Sequence, residues 1–233
     1  MFAAGTIGAG LLFLSYQQVQ AFYVQQGRTL EQQGQVEAAI AAYQSALRLN
    51  PRDADSHYHL GSLFEQQGNL AAAISAYQTA IALNPKYGFA YTQLGYVFER
   101  QSRWQDAIAA YEQAIAFNPE FALAQVFLGD VLARQAKLAQ AMTAYQTAVQ
   151  IDPNFALAHY RTGTIWGKQG QFAAAIVSYQ KTIQLDPQFF AAYHHLGDAL
   201  LAQGNREAAI AAYRQALQLN PNHAAIVRKL NRL

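Results

Sequence analysis

Apolar and polar positions along this chain follow a pattern that resets every 34 residues. Across residues 54–87, apolar or aromatic side chains at His57, Leu60 and Phe64, then at Ile74, Tyr77 and Ile81, recur at steps of three and four. That spacing predicts two amphipathic helices of about 14 residues each. Gly68-Asn69 stops the first, and Asn84-Pro85 stops the second, because proline cannot continue a helix and pushes its predecessor out of the helical region. The chain has six prolines, Pro51, Pro85, Pro119, Pro153, Pro187 and Pro221, and all keep this phase. A fixed period of this length predicts stacked units, each burying its apolar face on its neighbours, so function is carried by a surface rather than a pocket.

Small residues share the period. Gly27, Gly61, Gly95, Gly129, Gly163 and Gly197 fall in the middle of each first helix, where glycine costs ~1 kcal/mol relative to alanine and so needs a packing reason. The second helices answer with Ala39, Ala73, Ala107, Ala141, Ala175 and Ala209, each followed four residues later by Tyr43, Tyr77, Tyr111, Tyr145, Tyr179 or Tyr213. The expectation is close helix crossing at the small residues, with the rings filling the space between helices.

The order aromatic, Leu-Gly, aromatic, Ala-x-x-x-Tyr and proline resembles the tetratricopeptide repeat. The resemblance covers residues 20–223 as six units, 20–53, 54–87, 88–121, 122–155, 156–189 and 190–223, and implies an all-α, right-handed superhelical solenoid. Several positions depart from the pattern: Gln26 and Thr162 replace leucine, Gln125 an aromatic, Ser102 and Ala136 the turn glycine, and Thr182 an alanine. Such irregularity marks a natural, diverged array.

Charge adds little: 16 basic and 14 acidic residues, a net +2, with the basic ones scattered rather than clustered as a nucleic-acid face requires. The absence of cysteine excludes disulfides, thiolate metal sites and cysteine nucleophiles. The histidines (His57, His59, His159, His194, His195 and His223) include no ligand pair four apart on a helix, and adjacent His194 and His195 project about 100° apart. Carboxylates form no paired motif, and no serine stands in a Gly-x-Ser-x-Gly context. Neither an enzyme, a cofactor, a metal, a small-molecule substrate nor nucleic acid is expected.

The ends differ from the repeats. AAIVRKLNRL, residues 224–233, places Ile226, Leu230 and Leu233 on one helical face and Arg228, Lys229 and Arg232 on the other, the pattern of a solvating cap. At the other end no charge precedes Arg28, and the apolar run Phe2 to Leu14 is 13 residues, against the roughly 20 that span a bilayer. Residues 1–16 read as a membrane anchor, the alternative being an apolar cap on the first repeat. With no turn residue between Ser15 and Gln33, the segment 1–19 is expected to run as one helix into that repeat. Membrane association through this helix, otherwise a cytoplasmic location, is the corresponding expectation.

In the family resembled, the first helix of each unit lines a concave face that binds an extended or helical peptide. Carried onto this chain, the partner-binding candidates are Tyr58, His59, Phe89, Tyr96, Arg100, Phe127, Asp130, Arg134, Tyr160, Arg161, Lys168 and His194, with Arg28, Asp55, Glu65, Glu99 and Asp198 among the neighbouring charges. Aromatic rings beside arginine are typical of interaction hot spots; Phe89, Tyr96 and Phe127 are the strongest candidates, while Tyr58 and Tyr160 equally suit packing between units. The family's chaperone-tail clamp needs lysine and asparagine where this chain has Val24 and Arg28, Tyr58 and Ser62, Thr92 and Tyr96, so that specificity is not expected. The function implied is a non-catalytic scaffold holding a partner polypeptide, as an assembly factor for a membrane complex. The alternatives are a regulatory or substrate-recruiting subunit of a separate enzyme, and a self-associating scaffold.

Overall fold

The computed structural model describes residues 15–233, and all regular structure among them is helical. Two compact units divide the chain, one ending at Asn118 and the other beginning at Pro119. The first contains α1 (Tyr16–Gln32), α2 (Val36–Leu49), α3 (Ala54–Gln66), α4 (Leu70–Leu83), α5 (Gly88–Arg100) and α6 (Trp104–Phe117). The second contains α7 (Ala122–Arg134), α8 (Leu138–Ile151), α9 (Ala156–Lys168), α10 (Phe172–Leu185), α11 (Phe190–Ala202), α12 (Arg206–Leu219) and α13 (Ala224–Leu230). Within each unit the helices pair as antiparallel hairpins, and the second helix of one hairpin packs on the first helix of the next.

The prolines end helices with the help of the residue before them. Asn50 and Asn84 sit at φ −134° and −132°, outside the helical region, as steric conflict with the proline ring demands. Their side-chain oxygens accept the backbone N–H groups of Arg52 and Lys86 at 3.2 Å, and Asp152 and Asp186 do the same for Asn154 and Gln188 at 2.9 Å. Between the helices of a hairpin the chain turns through a left-handed residue: Gly34, Gly68, Gly170 and Gly204 at φ +71° to +82°. Ser102 and Ala136 hold the same conformation at φ 59° and 60°, so the turn survives where the glycine does not, at a steric cost.

The core is built at the expected positions. Ala39, Ala73, Ala107, Ala141, Ala175 and Ala209 are completely buried, and the six periodic tyrosines are nearly so. A Cβ on Gly61, Gly129 or Gly197 would stand 2.5 Å from the Cε1 of Tyr77, Tyr145 or Tyr213, inside van der Waals contact, so these helices close to a distance only glycine permits. Thr182, where the other units have alanine, is also fully buried, and its hydroxyl donates to the carbonyl oxygen of Ser178 at 2.9 Å.

The expected continuity of the N-terminal helix needs correction. α1 begins at Tyr16, and Ser15 is its cap, in extended conformation at ψ 156°. The Ser15 hydroxyl accepts from Gln18 N (3.3 Å) while the Gln18 side chain accepts from Ser15 N (2.7 Å). Two otherwise unpaired donors are satisfied reciprocally, which starts a helix rather than continuing one. The apolar anchor or cap read from the sequence falls on residues 1–14, outside the described residues. Among the described residues no helix is long and apolar enough to cross a membrane. At the other end α13 buries Ile226 against Ala209, Tyr213 and Ala216, with Leu230 and Leu233 packed at the edge.

Candidate functional site

In the first unit the faces of α1, α3 and α5 carry a ladder of glutamates, and each takes the hydroxyl of a periodic tyrosine. Tyr43 donates to Glu31 at 2.9 Å, Tyr77 to Glu65 at 3.3 Å and Tyr111 to Glu99 at 3.4 Å. Burial and then the neighbouring carboxylate push the Tyr43 hydroxyl far above the usual phenol range, so it remains a donor. Arg100 reaches back to Glu65 (3.4 Å). His59 stacks on the Tyr43 ring (5.1 Å, 3°), with its Nδ1 3.0 Å from the Glu31 carboxylate but not aligned for a hydrogen bond. Tyr58 packs against the Tyr77 and Tyr87 rings at 5.8 and 5.2 Å. Phe89 and Tyr96, seven residues apart on α5, differ: 54% and 38% of their surface is exposed.

In the second unit the acceptor moves. Ala133, Gly167 and Leu201 occupy the places equivalent to the glutamates, and Asp130 and Asp198, three residues earlier, take the hydroxyls of Tyr145 (2.6 Å) and Tyr213. Asp130 also holds Arg161 at 2.8 Å. Burial raises its carboxyl pKa, with Tyr145 and Arg161 opposing the rise. The Arg161 Nε is buried without a partner. Asp198 is desolvated too, yet the hydrogen bonds from Lys229 and Tyr213 hold its carboxyl below the usual range. His194 lies 3.3 Å from Lys229 and 3.6 Å from Asp198, and its ring adjoins His195 and His223 at 5.1 and 5.3 Å. Among the described residues no group of three or more histidines, aspartates or glutamates is placed to hold a metal ion.

The sequence candidates thus separate by environment. Tyr160 is corrected: its ring is 8% exposed and packs on Phe189 at 4.8 Å, and its hydroxyl meets His195 Nδ1 at 3.0 Å, so it belongs to the core and has no surface to offer. Phe127 is half-buried, and Lys168 is exposed. Asp130, Arg134, Arg161 and Lys168 meet around a hollow of about 150 Å³, with three cations to one carboxylate. A second hollow of about 270 Å³ adjoins it through Thr164 and Lys168, and Gly167, Phe172, Tyr179 and His195 are among its walls. A wider hollow, about 760 Å³, is an open cleft among Glu120, Phe121, Gln150, Asp152 and Phe155 at the turn edge, and it contains none of the candidates. The sequence reading missed the role of Glu31 and the space around Tyr179. The signal was there: glutamate recurs at residues 31, 65 and 99 and then stops.

A tetratricopeptide repeat model matches residues 24–87 and 92–154, and two further models of the same repeat match residues 167–204 and 190–223. No curated protein sequence matches this one closely enough to count as a relative. Among solved structures, a crystal structure of MamA protein is 25% identical, covering 74% of this chain and 94% of its own, with a TM-score of 0.63. PilF of Pseudomonas aeruginosa is 20% identical over 94% of this chain and 99% of its own, at 0.82. YrrB, described as a TPR protein with an unusual peptide-binding site, is 23% identical over 82% and 98%, at 0.65.

Proposed function

Because the chain belongs to the tetratricopeptide repeat family, we propose that it is a non-catalytic interaction scaffold that holds a partner polypeptide on the faces of its first helices. The observation that carries this reading is the exposure of Phe89 (54%) and Tyr96 (38%) on one helix of an array that otherwise buries its periodic rings. Rings left in water at that spacing offer anchors for a partner's apolar side chains, and such anchors dominate binding energy when covered. Arg100, salt-bridged to Glu65, supplies a polar rim beside them.

The test is quantitative capture of the partner recovered with the wild-type chain, repeated with Phe89→Ala, Tyr96→Ala and Phe127→Ala, each checked for unchanged helicity. Loss of roughly tenfold in affinity for the α5 variants is expected of hot-spot residues; capture unchanged by all three would reject the reading. The finer role, assembly of a membrane complex, rests on the uncharged composition of residues 1–14. Membrane fractionation of chains with and without that segment tests it, and equal partition of the two forms argues against a tether.

A further inference from the structure

Five of the six periodic tyrosines give their hydroxyl to a carboxylate of their own hairpin: Glu31, Glu65, Glu99, Asp130 and Asp198. The exception is Tyr179. Where its counterparts have glutamate it has Gly167, and where they have aspartate it has Thr164. Its hydrogen-bond partner is the neutral Thr164 hydroxyl, whose own proton goes to the carbonyl oxygen of Tyr160 at 3.0 Å. Tyr179 is 3% exposed, so its hydroxyl is a buried donor without the charged acceptor given to the other five.

Beside the vacated position lies a hollow. Thr164, Gly167, Phe172 and Tyr179 bound the hollow of about 270 Å³, with His195 opposite and Lys168 shared with the adjoining basic hollow of Arg134 and Arg161. A Cβ on Gly167 would lie 3.5 Å from the Tyr179 hydroxyl, so that hydroxyl points into the vacated position. Asp198, also in the wall, is already neutralised by Lys229 and takes the Tyr213 hydroxyl. One lysine in the lining, the basic hollow beside it, apolar walls and a buried hydroxyl donor suit one class of ligand, a short acidic side chain.

Resting on the scaffold reading above, we propose that this cavity receives an aspartate or glutamate side chain of the partner polypeptide, whose carboxylate accepts the Tyr179 hydroxyl and faces Lys168. The partner then completes the fifth repeat with the group that the other repeats carry themselves. This site differs from a chain-terminus clamp: it reads a side chain, from one tyrosine and one lysine of a single hairpin.

The test uses the whole chain and blocked peptides, acetyl-Ala-Glu-Ala-amide and its Gln analogue, with sodium acetate as a third ligand, followed by NMR of the Tyr179 and His195 rings. Saturable shifts with the Glu peptide, at least tenfold weaker with Gln and with acetate, are expected. Lys168→Ala should weaken binding several-fold. Gly167→Glu, which restores the internal carboxylate, should abolish the shifts, and Gly167→Ala should retain them. Equal response to Glu and Gln peptides, or binding untouched by Gly167→Glu, overturns the proposal; acetate binding as well as the Glu peptide overturns the assignment to a polypeptide side chain. The peptides report on the cavity alone, so either failure leaves the scaffold reading to its own test at Phe89 and Tyr96.

Discussion

Two glycines of α9, one turn apart, make a controlled comparison of packing against helix propensity. Changing either Gly163 or Gly167 to alanine improves propensity by the same ~1 kcal/mol. At Gly163 the new Cβ would lie 2.8 Å from Cε1 of Tyr179 and 3.0 Å from Cβ of Ser178; at Gly167 the nearest atom is the Tyr179 hydroxyl at 3.5 Å, ordinary contact. The ring is buried, with the His195 ring 5.9 Å away and the Tyr160 ring at 6.0 Å, so making room for the methyl disturbs packed neighbours. Forcing a methyl into a packed core costs about 1–3 kcal/mol. Gly163→Ala should therefore be destabilised by about 1 kcal/mol net, and Gly167→Ala stabilised by up to about 1 kcal/mol, a gap of about 2 kcal/mol. Urea titration by far-UV circular dichroism, with amide exchange in α9 to localise the change, measures it. Shifts of the same sign and size for both variants would refute the close-packing account of the periodic glycines.

Ala136→Gly and Ser102→Gly should each stabilise the protein by about 1 kcal/mol, because both residues hold a left-handed conformation that glycine adopts without strain; the urea midpoint reads this. Tyr145→Phe should cost about 1–2 kcal/mol by removing a hydrogen bond to the Asp130 carboxyl group. Tyr179→Phe, with no carboxylate to lose, should be close to neutral by the same titration. Burial holds His194 and His195 below the free value of 6.5, with Lys229 adding to the effect and Asp198 opposing it. As pH falls past 6.5 the unfolded chain takes up protons first, so stability is full above that pH and lost through the folded values below it. Urea midpoints between pH 7 and 5 should fall, and His195→Gln should flatten the fall.

The helices, turns and core were legible because each depends on residues within one period. Proline, glycine, alanine and tyrosine act through local sterics and crossings within a hairpin, so their phase alone specifies them. The binding surface was less legible because it depends on exposure. Tyr58 and Tyr160 sit at the same place in their repeats as each other, and only packing shows that both rings pack on neighbouring rings while much of Phe89 and Tyr96 is exposed. The start of α1 was misread because Ser15 and Gln18 look like tolerable helix residues singly, and it is their reciprocal bonding that begins the helix.

The placement of the tyrosine acceptors also determines what can be exchanged between repeats. Tyr77 finds its carboxylate on α3, and Tyr145 finds its own on α7, always on the preceding helix of the same hairpin. A hairpin copied or deleted whole carries donor and acceptor together and strands neither. A first helix moved alone, such as α9 set before α4, would bring Thr164 and Gly167 to a tyrosine that expects Glu65 and leave its hydroxyl without a charged acceptor. The hairpin is thus the smallest part of this chain that keeps each tyrosine with its carboxylate, and the polar pairs that gain or loss of a whole repeat would disturb are those that cross hairpins, such as Arg161 with Asp130 and Tyr160 with His195.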